Sequence, residues 1–202
     1  PFYLMGAQMA RLQGKNYSLA AKLWWTRLGT SVLPTLVLLL LLSGVLKERV
    51  APAHPRRTAV LAYATGSLAL VYAVQLMSHQ LAAGCLFGAF YLLYMQKEKA
   101  WALFGAGFLA GLAICADYQA GFGVVMVAIY GAVRAGPRLR ALWGILGGMI
   151  PLLLLGAYHH ACFGSPFWTG YEFLVLGGDQ ALHEQGFLGI VGPRKKAFWA
   201  SL

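Results

Sequence analysis

Long apolar stretches alternate with short polar or basic stretches along most of the chain. The first apolar stretch runs from Trp24 to Leu46 and contains the sequence VLPTLVLLLLL. A helix of about 20 mostly apolar residues, within a range of roughly 17–25, is long enough to cross a bilayer core. This stretch therefore predicts a membrane-spanning helix, and Pro34 within it is expected to kink that helix.

Further apolar stretches follow, and each predicts another span. They cover residues 58–77, 81–95, 101–116, 120–133 and 141–158. The polar tip QLMSHQ separates the first two, and DYQ separates the next two, so each pair predicts a hairpin. We therefore predict an all-α integral membrane protein with about six transmembrane helices in hairpins. Residues 24–158 form this module, between an outer juxtamembrane segment (1–23) and an outer segment of mixed polarity (159–202).

Composition agrees with a membrane protein. The chain is 59% hydrophobic and 11% charged, whereas soluble domains have about 45–50% apolar and about 25% charged residues. A mean hydropathy of +0.65 excludes an intrinsically disordered chain, which needs low hydrophobicity. Cys85, Cys115 and Cys162 are few and widely spaced, so they indicate neither a disulfide framework nor a metal knuckle.

The net charge of +10 follows the positive-inside pattern of membrane proteins. Three polar stretches carry the cations Lys47, Arg49, Arg56, Arg57, Lys97, Lys99, Arg134, Arg138 and Arg140. The alternate turns, 75–80 and 117–119, contain no Lys or Arg. The pattern predicts that both hairpin tips, both termini and residues 159–202 lie on the non-cytoplasmic side. It also favours the bilayer over nucleic acid as the partner of these cations.

The spans repeat small residues at a spacing of four. The pairs are Gly84 and Gly88, Gly107 and Gly111, and Gly144 and Gly148. Small residues at this spacing let helix backbones approach closely in a membrane. The pattern predicts close helix packing and carries no information about function.

Ionisable residues near a membrane are candidates for function because they are costly to place there. Asp117 lies at the second hairpin tip, and His79 lies at the first. The alternatives are a helix-capping or solvated aspartate and a turn histidine with ordinary partners. His159 and His160 end the last span, where they could bind an anionic headgroup or a metal, or form an interfacial polar pair.

The last part of the chain contains the distinctive phrase HHACFGSPFWTGYEF. FGSPF predicts a turn, and the aromatic residues up to Tyr171 suit a membrane interface. Asp179 and His183 are four residues apart and form a weak metal candidate, because a metal site needs more ligands. Arg194, Lys195 and Lys196 form a basic cluster that suits either a solvated loop or a lipid phosphate.

Several phrases, taken in order, resemble bacterial integral-membrane glycosyltransferases of the GT-C superfamily, in the branch of protein mannosyltransferases and aminoarabinose transferases. They are PFYLMG, WWTRLGTSVLPTLVLLLLL, SHQLAAG, GLAICADYQAGFGVVM, HACFGSPFWTGYEF and HEQGFLGIVGPRKKAFWASL. The resemblance covers nearly the whole chain and is most specific over 163–171 and 183–189.

The resemblance implies an enzyme integral to the bacterial inner membrane that transfers a sugar from a polyprenyl-phosphate carrier to a glycan, lipid or protein acceptor on the non-cytoplasmic face. Its catalytic Asp precedes the PFYLMG phrase, so we expect it upstream of Pro1 and expect this piece alone to be inactive. Candidates for substrate or lipid-phosphate contacts are His79, Asp117, Tyr118, His159, His160, Tyr171, His183, Arg194, Lys195 and Lys196. No cofactor is firmly implied, although a divalent cation would be compatible. A transporter or lipid flippase and a non-catalytic membrane scaffold are the competing interpretations.

Overall fold

The computed structural model describes residues 2–12, 18–96, 99–135 and 138–168, and these residues are helical with short connections. The chain divides into two compact units, Pro1–Leu152 and Leu153–Leu202. The α-helices of the described part are α1 (Phe2–Leu12), α2 (Leu19–Arg27), α3 (Leu33–Arg49), α4 (Ala53–Gly66), α5 (Leu68–Val74), α6 (His79–Met95), α7 (Ala100–Ala116), α8 (Gly121–Ala135) and α9 (Arg138–Phe163). A π turn, Leu28–Val32, joins α2 to α3, and a 3-10 turn, Tyr118–Ala120, precedes α8.

The prediction of an all-helical fold is confirmed for the described residues, whereas the prediction of about six spans is wrong. Within the described residues, Leu19–Arg49 (31 residues) and Arg140–Phe163 (24 residues) are long and apolar enough to cross a membrane. The pair α4 and α5 makes a third if it counts as one bent span. The other predicted spans are short helices: α6 and α7 have 17 residues each, about 26 Å of helix at the lower limit for a span, and α8 has 15 residues.

The first span changes its winding just before Pro34. Proline lacks an amide N–H and its ring crowds the carbonyl four residues earlier. The backbone forms the π turn Leu28–Val32 at this point, and the helix continues from Leu19 to Arg49. The kink expected at Pro34 is replaced by a wider π turn within one continuous helix.

The second predicted span is broken at Ser67, where α4 and α5 meet at a bend of 58°. Ser67 has an extended backbone conformation, and its hydroxyl accepts a hydrogen bond from the Ala69 amide at 3.1 Å. The same hydroxyl donates to the Tyr63 carbonyl at 2.6 Å. Ser67 therefore caps the start of α5 and bonds a carbonyl in the last turn of α4. These two hydrogen bonds stabilise the break between the helices.

The core of the first unit lies between α6 and α7. Ala89, Leu93, Leu103 and Ala106 are buried there. At Gly84, an added Cβ would lie 3.3 Å from the Pro34 carbonyl oxygen, so α6 also packs closely on α3. The predicted close approach of small residues is present at this contact.

Helices α7 and α9 approach each other through their glycines. A Cβ added to Gly107 would overlap the carbonyl of Gly144, and one added to Gly111 would lie 2.5 Å from Cγ of Pro151. Beside this contact, an apolar cavity of about 450 Å³ lies between α7, α8 and the part of α9 in the first unit. The glycines bring the two backbones together, so larger side chains here would separate the helices.

The described part of the second unit is the end of α9 and the turn that follows it. The helix continues through His159 and His160, beyond Tyr158, where the sequence pattern ends the last span. Gly164 follows the helix with φ of +78°, and its amide donates to the His160 carbonyl at 2.9 Å. Glycine suits this left-handed position because it has no Cβ, so the predicted FGSPF turn is confirmed at its start.

Replacement of Gly107 by Ala should destabilise the first unit by about 1–3 kcal/mol, because the added methyl group collides with the Gly144 backbone. The matched control is Gly66→Ala, since a Cβ at Gly66 meets no atom within 4 Å. Thermal unfolding in detergent measures both variants. Equal stability of the two variants would contradict the close packing of α7 on α9.

Candidate functional site

The structure brings together the two polar residues that the sequence places at separate hairpin tips. His79 begins α6, and Asp117 directly follows α7. The His79 Nδ1 and Asp117 Oδ2 atoms lie 2.7 Å apart. The two are 38 positions apart in sequence, and antiparallel packing of α6 and α7 places them at the same end. We call His79 and Asp117 the tip pair.

The Asp117 carboxylate is held in place by its own backbone turn. Its Oδ1 atom accepts a hydrogen bond from the Gln119 amide at 3.0 Å, at the start of the 3-10 turn. Asp117 therefore also caps a turn, in agreement with the alternative prediction of a capping aspartate. Both carboxylate oxygens have partners, so Asp117 is suited to orient His79 and less suited to bind a sugar or a cation directly.

The geometry assigns the hydrogen on the His79 ring. An ionised carboxylate has only hydrogen-bond acceptors, so Nδ1 of His79 must donate to Asp117. In the neutral ring this leaves Nε2 as an acceptor, and in the protonated ring it leaves Nε2 as a donor. The His79 side chain is 44% exposed, whereas that of Asp117 is 16% exposed. A mostly shielded carboxylate beside an accessible imidazole leaves Nε2 available to an incoming group.

The aromatic ring of Tyr72 completes the surroundings of the imidazole. Tyr72 belongs to α5, and its ring meets that of His79 edge to face with centroids 4.9 Å apart. Aromatic pairs of this geometry are favourable beyond simple burial. The His79 ring is therefore restrained by an aromatic ring as well as by the carboxylate.

A buried polar cluster supports the segment that leads to His79. The fully buried Ser31 hydroxyl donates to the Gln75 carbonyl at 2.7 Å. The buried Gln80 amide donates to the Thr35 hydroxyl at 2.9 Å and to the Ala69 carbonyl at 3.2 Å. The Ser31 bond satisfies a carbonyl freed where α5 ends, and the Gln80 bonds join the start of α6 to α3 and to the first turn of α5. They fix the position of the first hairpin tip against α3.

The sequence reasoning missed several residues of this site. Ser31, Thr35 and Gln80 anchor the tip, and Tyr72 contacts the imidazole. Ser31 and Thr35 are four apart in an otherwise apolar span, which places them on one helix face. That pairing was the available signal, whereas nothing local marked Tyr72.

Arg27 is a further basic residue close to the first hairpin tip. It lies in the last turn of α2, four residues before Ser31. Its Nε atom is buried and has no hydrogen-bond partner within the described residues. The N–H group at a guanidinium nitrogen in that state can donate to an incoming acceptor without losing an existing bond.

The other predicted site residues fall into two groups. Tyr118 lies in the 3-10 turn beside Asp117, while His159 and His160 belong to the second unit, where His159 is buried and His160 is exposed. The structure does not describe Tyr171, Asp179, His183, Arg194, Lys195 or Lys196. Roles for all of these remain predictions.

No group of three or more His, Cys, Asp or Glu residues that could hold a metal occurs within the described ranges. The tip pair contains only two residues of these types, and they are hydrogen-bonded to each other. The weak metal candidate, Asp179 with His183, lies beyond the described residues. A divalent cation therefore stays a prediction.

Replacement of the buried Gln80 by Leu should destabilise the first unit by about 1–3 kcal/mol, because the Thr35 hydroxyl and the Ala69 carbonyl lose their donor. The control is Gln119→Leu, since the Gln119 side chain is exposed. Chemical denaturation in detergent measures both. Unchanged stability of the Gln80 variant would contradict the anchoring role.

A cysteine pair tests whether the hairpin tips meet. With the three native cysteines replaced by Ser, His79→Cys with Asp117→Cys should be joined by a short bifunctional thiol reagent, because these side chains touch. The control pair is His54→Cys with Asp117→Cys, since His54 lies in the first turn of α4, which follows the end of α3 distant from the first hairpin tip. Altered electrophoretic mobility reports the link. Equal linking of both pairs would contradict the geometry.

Comparisons of the chain with protein-family profiles, with curated proteins and with solved structures find no significant match. The chemistry of this site is therefore argued from its own residues.

Proposed function

We propose that this chain is part of a membrane glycosyltransferase that moves a sugar from a polyprenyl-phosphate carrier to an acceptor on the non-cytoplasmic face. The observation that carries the proposal is the tip pair, in which an Asp carboxylate orients an accessible imidazole at 2.7 Å. Ionisable residues at the ends of apolar helices are costly to place near a membrane. Their presence there makes them candidates for function. The resemblance to GT-C glycosyltransferases indicates that this function is sugar transfer.

The reaction needs two kinds of group. The bond between the sugar C1 atom and the phosphate oxygen breaks, a bond from C1 to the acceptor oxygen forms, and the acceptor proton passes to a base. Negative charge develops on the leaving phosphate, where cations and hydrogen-bond donors stabilise it. The resemblance identifies no residue of this chain as the base, so we assign contacts to the phosphate to this chain.

His79 is the residue we assign to that contact. Its Nδ1 atom is occupied by Asp117, which leaves Nε2 for the phosphate oxygens, and Nε2 donates to them when the ring is protonated. Arg27 is a second candidate, because its Nε atom is buried without a partner in the described part of the chain. It precedes Ser31, whose hydroxyl bonds the Gln75 carbonyl near the same tip. Tyr118 is adjacent to Asp117 and is proposed to contact the sugar.

The charge distribution supports a non-cytoplasmic location for this chemistry. Lys47 and Arg49 lie in the last turn of α3, and Arg56 and Arg57 lie near the start of α4. These cations are at the far end of α3 from Ser31, which contacts the first hairpin tip. The positive-inside rule would place the cations in the cytoplasm and the tip pair outside. We propose the bacterial inner membrane as the location.

A transporter or lipid flippase is a second candidate because of the broken helix. Transporters place substrates at discontinuous helices, and α4 and α5 are bent by 58° at Ser67. A flippase would move a lipid-linked sugar between leaflets without breaking its C1–O bond. The two functions therefore differ in whether the sugar leaves its carrier.

Replacement of His79 by Ala in the full-length protein should lower sugar transfer by about 100-fold, the usual effect of removing one donor to a developing oxyanion. Asp117→Asn should lower it by about tenfold, since His79 keeps its ring but loses its orientation. The measurement is release of labelled sugar from a polyprenyl-phosphate donor in membranes.

The matched control is His54→Ala. It removes an exposed histidine near the start of α4 and should change sugar transfer by less than about twofold. Full transfer by the His79 variant would refute the assigned role. Movement of the intact donor between leaflets, with no sugar released by the wild-type protein, would favour the flippase.

A further inference from the structure

A basic pocket lies between α3 and α4, apart from the tip pair. Its volume is about 430 Å³, and its lining consists of Ser43, Lys47, Arg56, Arg57, Val60 and Leu61. Lys47 is one helical turn after Ser43, and Val60 and Leu61 are one turn after the two arginines. Each helix therefore presents one face to the pocket. We call this the α3–α4 pocket.

The pocket is far from the candidate functional site. Lys47 lies about 24 Å along the helix from Ser31, at a rise of about 1.5 Å per residue. Ser31 contacts the segment that leads to His79. The pocket and the tip pair are therefore separate features at opposite ends of α3.

Among the described residues, the cations of this pocket have no ion-pair partner. The ion pair between His79 and Asp117 is the one found among the described residues, so Lys47, Arg56 and Arg57 form none there. Glu48, the neighbour of Lys47, is the other acid in those ranges and does not line the pocket. Three cations thus converge on one space whose described lining contains no carboxylate.

The helix ends add to this positive potential. Arg56 and Arg57 lie close to the start of α4, whose first turn contains no acid. A helix N-terminus carries partial positive charge, so cations there are unfavourable and an anion is favourable. Bound phosphate would relieve the repulsion among the two arginines, Lys47 and the helix dipole.

The remaining lining identifies the kind of anion. Val60 and Leu61 give the pocket an apolar wall directly beside the charges, and Leu61 is largely exposed. Outward-facing leucines continue along α3, and Leu36 and Leu40 are also exposed. A ligand with a charged phosphate and a hydrocarbon chain matches both parts, whereas a free phosphate would leave the apolar wall in water.

We propose that the α3–α4 pocket binds the headgroup of an anionic phospholipid. The phosphodiester oxygens accept hydrogen bonds from Arg56, Arg57 and Lys47, and the Ser43 hydroxyl donates a further one. The acyl chains lie along the exposed apolar faces of α3 and α4. The pocket lies where the candidate span Leu19–Arg49 ends, the level at which phospholipid headgroups meet a spanning helix. The proposal is independent of the proposed enzymatic function.

Lipid binding by the purified full chain tests the proposal. Native mass spectrometry counts phosphatidylglycerol and phosphatidylcholine retained from mixed micelles. Wild-type protein should retain phosphatidylglycerol preferentially, and Arg56→Gln with Arg57→Gln should weaken that binding by about tenfold or more. The charge-conserving pair Arg56→Lys with Arg57→Lys should keep most of it.

The matched control is Lys99→Gln with Arg140→Gln, which removes two cations outside the pocket and should change binding by less than about twofold. Equal loss in the control and the pocket variant would show general charge attraction and overturn the proposal. Displacement of the lipid by millimolar inorganic phosphate would show a site for the free anion, and would also overturn it. Circular dichroism confirms that each variant is folded.

Discussion

Every backbone amide and carbonyl inside an apolar bundle needs a hydrogen-bond partner, and this constraint accounts for the structure around the candidate site. The helices are interrupted at Ser67, between Gln75 and Ser78, and at Asp117. At each interruption a polar side chain supplies the bond that regular winding would have made. Ser67 and Asp117 cap the helical segments that follow them, and Ser31 bonds the Gln75 carbonyl. Non-helical backbone is tolerated in such surroundings only with partners of this kind.

The same constraint connects structure to chemistry. The side chains that satisfy the broken backbone also hold the tip pair, since Gln80 follows His79 directly and Asp117 caps the turn after α7. A histidine on a freely moving loop would have many orientations, whereas His79 is restrained by Asp117 and by the Tyr72 ring. A restrained imidazole loses little entropy when it binds a phosphate. The proposed site is therefore built from the elements that stabilise the hairpin tips.

Helix length explains why about six spans were predicted while only two or three of the described helices are long enough to cross a membrane. Apolar content alone suggested about six spans, but α6 and α7 have 17 residues each and together form the buried core of the first unit. Their burial explains why they are apolar, because a helix surrounded by other helices needs no polar face. The bend at Ser67 likewise divides one apolar stretch into two short helices. Hydropathy cannot distinguish a helix buried in protein from one buried in lipid.

The sequence by itself determined the helical class, most of the helix positions, the close approach of the glycines and the two residues of the tip pair. These follow from local patterns, because apolar runs, glycine spacing and polar interruptions are all visible in the order of residues. The tertiary structure decided that His79 and Asp117 touch, that Ser31 and Gln80 anchor the tip, and that Lys47, Arg56 and Arg57 share a pocket. Each of these depends on how helices distant in sequence pack against one another. Such packing is governed by side-chain fit between helices, which no single stretch of sequence encodes.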